Sequence, residues 1–329
     1  MKTSRQKLLI GDIGGTNARF ALVSPRARAW EFETIMSCAD YESAEDAISD
    51  YLSQVGAGAP PVICLAVAGP VIDQSVRFTN NHWVTDAAGL AERFPATHVR
   101  LLNDFEAIAY SLPLLDPSDL VTIGLEKPAL EIKSDFTVAV LGPGTGLGVA
   151  GLIGRSGQHI AVVSEGGHVG FAPENQMQLE VLRVLRERFD RVSDERLLCG
   201  PGLENIYWAV QKIHGERGTR ISAREIFESA LENRNVYASE SLKLFYEVLG
   251  QAAGNIALSL SAHDGVYLGG GILKRYPETL RSSAFRSGFE NKGRYRALME
   301  QIPTHLIKHP QPGLLGAAQI AQQLFRTGG

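Results

Sequence analysis

The chain has 329 residues, which is long enough for two domains of ordinary size. Hydrophobic residues make up 44% of it and charged residues 21%, a composition that excludes a largely disordered protein. The formal net charge of −4 provides no electrostatic attraction to nucleic acid, so we expect no nucleic-acid partner.

Periodicity and turn residues predict elements along the whole chain. In chain order they are strands over 7–14 and 18–24, a helix over 43–55, strands over 62–68 and 99–102, strands over 136–141 and 148–153, helices over 179–189 and 242–260, and a strand over 266–268. Strands that alternate with helices indicate an α/β protein.

The cysteines and the apolar segments bear on the cellular compartment. Cys38, Cys64 and Cys199 are widely separated and form no Cys-x-x-Cys pair, which predicts free thiols in a reducing compartment. The apolar run before Gly11 is too short for a signal sequence. The uncharged run 136–154 contains six glycines and a proline, which is typical of two strands and a turn rather than a membrane helix. We expect a cytoplasmic protein with no membrane partner.

A strand that ends in a glycine-rich turn occurs twice, at 11–16 and at 142–146, and a second apolar segment follows each turn. This recurrence suggests two related domains, although Gly-Thr turns are common enough for coincidence. Both turns offer converging backbone N–H groups with no Cβ to obstruct a phosphate. Neither is a Walker A loop, because the chain contains no Gly-Lys pair, and the G-x-G-x-x-G spacing is not met from Gly142 or Gly144, where the sixth residues are Leu147 and Val149. The alternative is that both are ordinary hairpin turns.

Two acidic residues, Asp12 and Asp104, lie at the ends of predicted strands. Asp12 would place a carboxylate beside the phosphates, which predicts an intervening Mg²⁺ held by Asp12 directly or through water. Asp104 follows a predicted strand, and the carboxyl ends of strands commonly line ligand sites in α/β proteins. There it can accept the proton of an alcohol during phosphoryl transfer. The alternative is that Asp104 only caps the following helix.

The segments 11–19 and 141–148 resemble the two phosphate loops of bacterial glucokinases, which belong to the actin/hexokinase/Hsp70 superfamily. The resemblance continues in the same order through 103–105, 165–168, 195–202, 269–272 and 312–316. It implies two actin-like (ribonuclease H-like) α/β domains with a central interdomain cleft. The smaller domain would comprise 1–115 plus 303–329 and carry the first phosphate loop and the catalytic acid. The larger would comprise 116–302 and carry the second loop with sugar and adenosine contacts.

The resemblance also implies a function, which is ATP-dependent phosphorylation of glucose to glucose 6-phosphate by a cytoplasmic, homodimeric transferase of glycolysis. ATP and Mg²⁺ would be its cofactors, and Asp104 its general base. The implied glucose contacts are Asn80, Asn103, Asp104, Glu165, His168 and Glu195. The implied nucleotide contacts are Asp12, Gly14, Gly15, Thr16, Asn17, Gly144, Thr145, Gly146, Gly269, Gly270, Gly271, Gly313 and Leu314.

Several of these assignments have simpler alternatives. Glu165 and His168 have the E-x-x-H spacing of a metal pair, but no ligand cluster completes it. The cysteine cluster of the related repressor/kinase branch is absent after His168, so we expect no structural zinc. Without the resemblance, His168 would be a core or turn histidine and Glu195 a solvated charge at a helix start. Gly170 stands where the resemblance leads us to expect an acidic residue.

Other functions also remain open at the level of the sequence. The same machinery serves kinases for another hexose, an aminosugar or acetate. An actin-like ATPase would hydrolyse ATP without sugar, although Glu165 and His168 would then have no purpose. A sugar-responsive repressor would need a DNA-reading helix pair, for which the predicted first strand at Lys7 leaves no room.

Overall fold

The computed structural model describes residues 6–78, 80–94, 98–124 and 135–327. The chain folds into two compact units, residues 1–114 with 310–329 and residues 115–309. The predicted boundary at 302/303 differs from the observed one, because the strand over 304–307 pairs within the sheet of the second unit.

The elements include most of those predicted and several that the sequence pattern does not indicate. The strands are β1 (Leu8–Ile13), β2 (Asn17–Val23), β3 (Trp30–Ser37), β4 (Val62–Val67), β5 (Ser75–Arg77), β6 (Val84–Asp86), β7 (His98–Asn103), β8 (Leu120–Thr122), β9 (Phe136–Pro143), β10 (Leu147–Arg155), β11 (Gln158–Ser164), β12 (Gly265–Leu268) and β13 (Thr304–Ile307). The α-helices are α1 (Ala44–Gln54), α2 (Ala87–Arg93), α3 (Asp104–Ser111), α4 (Gln176–Leu185), α5 (Gly200–Ile213), α6 (Ala223–Leu231), α7 (Val236–Leu260), α8 (Gly271–Arg275), α9 (Pro277–Arg281), α10 (Phe285–Glu290), α11 (Arg296–Met299) and α12 (Pro312–Thr327).

The two main sheets repeat one strand order. The first sheet runs β3-β2-β1-β4-β7 and the second runs β11-β10-β9-β12-β13-β8. In each, three antiparallel strands continue into two strands that are parallel to the first strand of the hairpin. The duplication suggested by the glycine turns is therefore matched by the same topology in both units.

The first sheet is covered on both faces, which explains the continuous apolar run of β4. Ile63 and Leu65 pack in a cluster with residues of α1, whereas Val62 and Cys64 pack in a cluster with residues of α3 and α12. A strand buried on both faces needs apolar residues at every position rather than at alternate ones. The two clusters hold β4 in the interior of the sheet, between β1 and β7.

The helices begin and end as their local chemistry predicts. Ser43 caps α1 by accepting a hydrogen bond from the Asp46 backbone N–H at 3.2 Å. In the second unit the long helix α7 packs against α5, α6 and α10, and its buried residues belong to one large core cluster.

All three cysteines are free and buried. Within the described part of the chain, no helix has both the length and the apolar composition needed to cross a membrane.

Candidate active site

The carboxyl edge of the first sheet gathers the predicted residues of the first unit. β1, β4 and β7 are parallel, and Ile13, Val67 and Asn103 lie at the same level of the register. Because parallel strands end at the same edge, the turn after β1 and the residue after β7 lie two strand spacings apart, about 10 Å. Asp12 and Asp104 therefore share this edge.

Asn103 is the N-cap of α3. Its Oδ1 accepts from the backbone N–H groups of Phe105 at 3.0 Å and Glu106 at 3.3 Å, and the Glu106 carboxylate accepts from the Asn103 N–H at 3.2 Å. The Asn103 amide also donates to the carbonyl of Gly69 at 3.0 Å. This capping box makes Asp104 the first helical residue, and Asp104 Oδ1 also accepts from the Phe105 N–H at 2.9 Å, so Asp104 takes part in capping the helix as the alternative predicts.

Glu106 is a residue of this edge that the site prediction misses. It is buried, and Arg100 lies 3.4 Å from its carboxylate. Burial raises the pKa of Glu106, while the charge of Arg100 opposes that rise. The signal was present in the sequence, because Asn103 and Glu106 have the spacing of a capping box.

The first glycine turn is held by the segment that follows β5. The Gly14 carbonyl accepts from the Asn81 side-chain amide at 3.1 Å. A Cβ added at Gly15 would lie 2.6 Å from the Cβ of Asn80, so a side chain at position 15 would displace that residue. The prediction named Asn80 but not Asn81, and the structure places both against the turn.

Asp12 is a partly buried carboxylate at the end of β1. Burial raises its pKa, while the charge of Arg19, its neighbour on β2, opposes the rise. Arg19 is itself paired with Glu33. A Cβ added at Gly313 would lie 3.5 Å from Asp12 Oδ2, so the first turn of α12 lies against this carboxylate. Leu314, in contrast, has no exposed surface, and we correct its predicted nucleotide contact to a packing role in the core.

The two glycine turns have a similar construction. In the first, the Gly14 N–H donates to the Asn17 carbonyl at 2.9 Å; in the second, the Gly144 N–H donates to the Gly146 carbonyl at 2.8 Å. Each exposes a threonine near its tip, Thr16 and Thr145 respectively. Turns of this kind leave neighbouring backbone N–H groups open to an anion.

Glu195 connects the second turn to His168. Its Oε2 accepts from the Leu147 N–H at 2.9 Å, and a Cβ added at Gly146 would lie 2.5 Å from the same oxygen. Its other oxygen, Oε1, lies 3.8 Å from His168 Nδ1. The Glu195 carboxylate is therefore held by the backbone of the second turn and lies near His168, and its interpretation as a solvated charge is wrong.

Glu165 directly precedes a single 3₁₀ turn over 166–168, and His168 is the last residue of that turn. The His168 N–H donates to the Glu165 carbonyl at 2.9 Å, and Arg191 donates to the His168 carbonyl at 2.7 Å. The His168 side chain is 59% exposed, which excludes a core histidine. Both side chains can therefore reach a ligand.

The glycine run after β12 packs onto the strand that leads into the second turn. The Gly269 N–H donates to the Leu141 carbonyl at 2.8 Å. Gly270 has φ +92°, a conformation that favours glycine, and a Cβ there would clash with the Pro143 carbonyl. Gly271 is exposed and begins α8.

The predicted residues thus form one constellation in each unit. The first comprises Asp12, the turn 14–17, Asn80, Asn103, Asp104 and Gly313; the second comprises the turn 144–146, Glu165, His168, Glu195 and 269–270. Among the residues that the structure describes, no cluster of three or more His, Cys, Asp or Glu is placed to hold a metal.

Asp194, the neighbour of Glu195, makes stability depend on pH. It is 8% exposed, and burial raises its pKa to about 7. The folded state therefore keeps a proton that the unfolded chain releases at lower pH, so this group lowers stability as the pH rises from about 4 to 7. We predict that the stability gained by Asp194→Asn over the unsubstituted chain grows by about 1–3 kcal/mol between pH 5 and pH 8.

Urea unfolding at the two pH values measures this difference. Asp190→Asn, which removes an exposed carboxylate nearby, is the matched control and should show no such growth. An equal effect of Asp194→Asn at both pH values would contradict the assignment.

The known proteins to which this chain is similar include glucokinases. The family model described as Glucokinase matches residues 9–324. The chain is 41% identical over 319 residues to a glucokinase of Marinobacter nauticus, covering 96% of this chain and 98% of that one. A crystal structure of glucokinase from an Antarctic psychrotroph matches with a TM-score of 0.87 at 33% identity, covering 97% of this chain and 99% of that chain. Glucokinase of Balamuthia mandrillaris in complex with glucose has the same fold, with a TM-score of 0.75 at 23% identity over 97% of this chain and 94% of that chain. The chain belongs to the glucokinase family.

Proposed function

We propose that the chain transfers the terminal phosphate of ATP to the 6-hydroxyl of glucose, with Asp104 as the general base. The observation that carries this proposal is the position of Asp104 at the carboxyl edge of the first sheet, which it shares with the glycine turn after β1. Asn103 is the N-cap of α3, and one oxygen of the Asp104 carboxylate accepts from the Phe105 N–H at 2.9 Å. Membership of the glucokinase family supports the same assignment.

The proposed chemistry is a direct displacement at phosphorus. The 6-hydroxyl oxygen forms a bond to the γ-phosphorus as the bond from that phosphorus to the β–γ bridging oxygen breaks. The hydroxyl proton passes to the Asp104 carboxylate, and ADP leaves. Water must be kept from the γ-phosphorus, since water is a competing nucleophile.

Glucose would be held by acceptors and donors from both constellations. Carboxylates at Glu165 and Glu195 accept from sugar hydroxyls, and the His168 ring can donate or accept. Asn103 uses one amide hydrogen on Gly69, so its second amide hydrogen can serve the sugar. Asn80 lies beside the first turn and completes the proposed set.

ATP phosphates would lie on the N–H groups of the two turns, with the adenosine near 269–271 and Gly313. The Asp12 carboxylate fits a Mg²⁺ site, because it is partly buried and its neighbouring cation Arg19 is already paired with Glu33. Bound Mg²⁺ would neutralise phosphate charge, and its other ligands would be phosphate oxygens and water. We further propose a cytoplasmic homodimer that acts in glycolysis; light scattering would test the dimer.

The first test of this function is ATP consumption measured with glucose, mannose, N-acetylglucosamine, acetate and no added substrate. We expect the highest kcat/KM with glucose and little turnover without an acceptor. Faster turnover with another sugar would reassign the substrate. Equal turnover with no acceptor would instead indicate an ATPase and contradict the proposal.

Asp104→Asn provides the second test. We expect kcat to fall by about 10²–10⁴-fold, because the amide cannot accept the hydroxyl proton. Asp40→Asn removes an exposed acid of the same unit and should leave kcat unchanged. Circular dichroism and thermal unfolding would verify that both variants fold. Near-normal kcat in folded Asp104→Asn would remove Asp104 from the catalytic role.

A further inference from the structure

A cavity of about 200 Å³ lies within the second unit, between one face of α7 and the ends of β10 and β11. Five of its eleven lining residues are aliphatic, Ser164, Asn255 and Ser259 are polar, and Asp194 is the acidic residue that lines it. The aliphatic side chains are Val149, Val169, Ala252, Ile256 and Leu260. Ala252, Ile256 and Leu260 recur at four-residue spacing, so they form one continuous stripe of α7. The volume is below the range of about 300–1,000 Å³ usual for drug-sized ligands, so a smaller molecule fits.

The carboxyl group of Asp194 has no protein partner in this cavity. Its backbone is fully engaged, since its N–H donates to the Val169 carbonyl at 3.0 Å and its carbonyl accepts from Leu197 at 3.0 Å and Leu198 at 2.8 Å. In the part of the chain that the structure describes, no residue donates a hydrogen bond or forms an ion pair with its side chain. Asp194 is 8% exposed as a residue, and a largely buried carboxyl that lacks a donor is unfavourable unless water or a ligand supplies one.

The absence of a side chain at position 170 leaves one wall of the cavity open. A Cβ added at Gly170 would meet only Arg191 Nη2, at 3.9 Å. Gly170 forms an isolated antiparallel bridge with Ser193, the residue before Asp194. Position 170 thus carries no acid, and Asp194 lies on the segment that pairs with it.

The lining selects the chemical class of the occupant. A bare metal ion prefers several oxygen ligands, and the described residues place no cluster of acidic, His or Cys ligands here. An aliphatic wall with one unpartnered carboxyl instead suits a molecule with an apolar part and a single cationic donor. We propose that this cavity binds a small aliphatic ammonium compound, with its ammonium group on Asp194 and its alkyl part on the α7 stripe.

Binding of such a ligand would affect residues next to the proposed sugar site. The cavity residues Ser164, Gly166 and Val169 flank Glu165 and His168 in the chain. Asp194 directly precedes Glu195, whose carboxylate holds the second turn. Occupancy would therefore alter the KM for glucose; this second effect rests on the proposed function, whereas binding itself does not.

Binding is tested by titrating n-butylammonium and its neutral counterpart 1-butanol into the full chain, with ligand-observed NMR as the readout. We expect the ammonium compound to bind at least about tenfold more tightly than the alcohol, because a charge-assisted hydrogen bond is worth more than a neutral one. Asp194→Asn should abolish that preference, and Ile256→Trp should weaken both ligands by filling the cavity. Asp190→Asn should behave like the unsubstituted chain.

Equal affinity for the two ligands, or a preference that survives Asp194→Asn, would overturn the inference. Saturating n-butylammonium should change the KM for glucose by about twofold or more in the unsubstituted chain, and by none in Asp194→Asn. An unchanged KM despite Asp194-dependent binding would overturn the coupling. Binding without kinase activity would contradict the proposed function alone, and kinase activity without Asp194-dependent binding would contradict this inference alone.

Discussion

The parallel register of β1, β4 and β7 is the constraint on which the first half of the site depends. Ile13, Val67 and Asn103 are level across the three strands, so the turn after β1 and the acid after β7 share one edge. A slip of one residue would turn Asp12 to the opposite face of the sheet. The backbone pairing of β4 with both β1 and β7 holds the three strands in this register.

In the second unit, the Glu195 side chain holds the glycine turn in place. One carboxylate oxygen accepts from the backbone of the glycine turn, and the other lies toward His168. Its neighbour Asp194 lines an aliphatic cavity instead. Two consecutive acidic residues thus occupy different environments, one polar and engaged and one apolar and without a partner. The short 3₁₀ turn that contains both links Glu195, a proposed sugar contact, to the cavity.

The sequence predicts the elements whose apolar residues follow a clear strand or helix pattern. The continuous apolar run of β4 and the periodic helix α1 are found as predicted, because each has an unambiguous core pattern. The edge strands β3 and β11 were not predicted, since most of their residues are exposed or half-buried and carry no clear alternation. Pairing with a neighbouring strand, which a local pattern does not encode, makes them strands.

Much of the candidate site was predictable as well, but its supporting contacts were not. Asp104 could be named from its place after a strand, whereas the capping role of Asn103 depends on hydrogen bonds to Phe105 and Glu106. The resemblance implied a nucleotide contact for Leu314 beside Gly313, but adjacent helical residues face different directions, and Leu314 is buried in the core. Asn81 and Asp194 acquire their significance only from residues distant in the chain.

We assign the role of the reacting acid to Asp104 at the carboxyl edge of the first sheet. A crystal structure of the chain with glucose and a non-hydrolysable ATP analogue tests that assignment most directly. The account predicts the sugar 6-hydroxyl oxygen within about 3 Å of the Asp104 carboxylate and phosphate oxygens on the backbone N–H groups of both glycine turns. A glucose molecule whose 6-hydroxyl lies out of reach of Asp104, or a nucleotide that contacts neither turn, would contradict it.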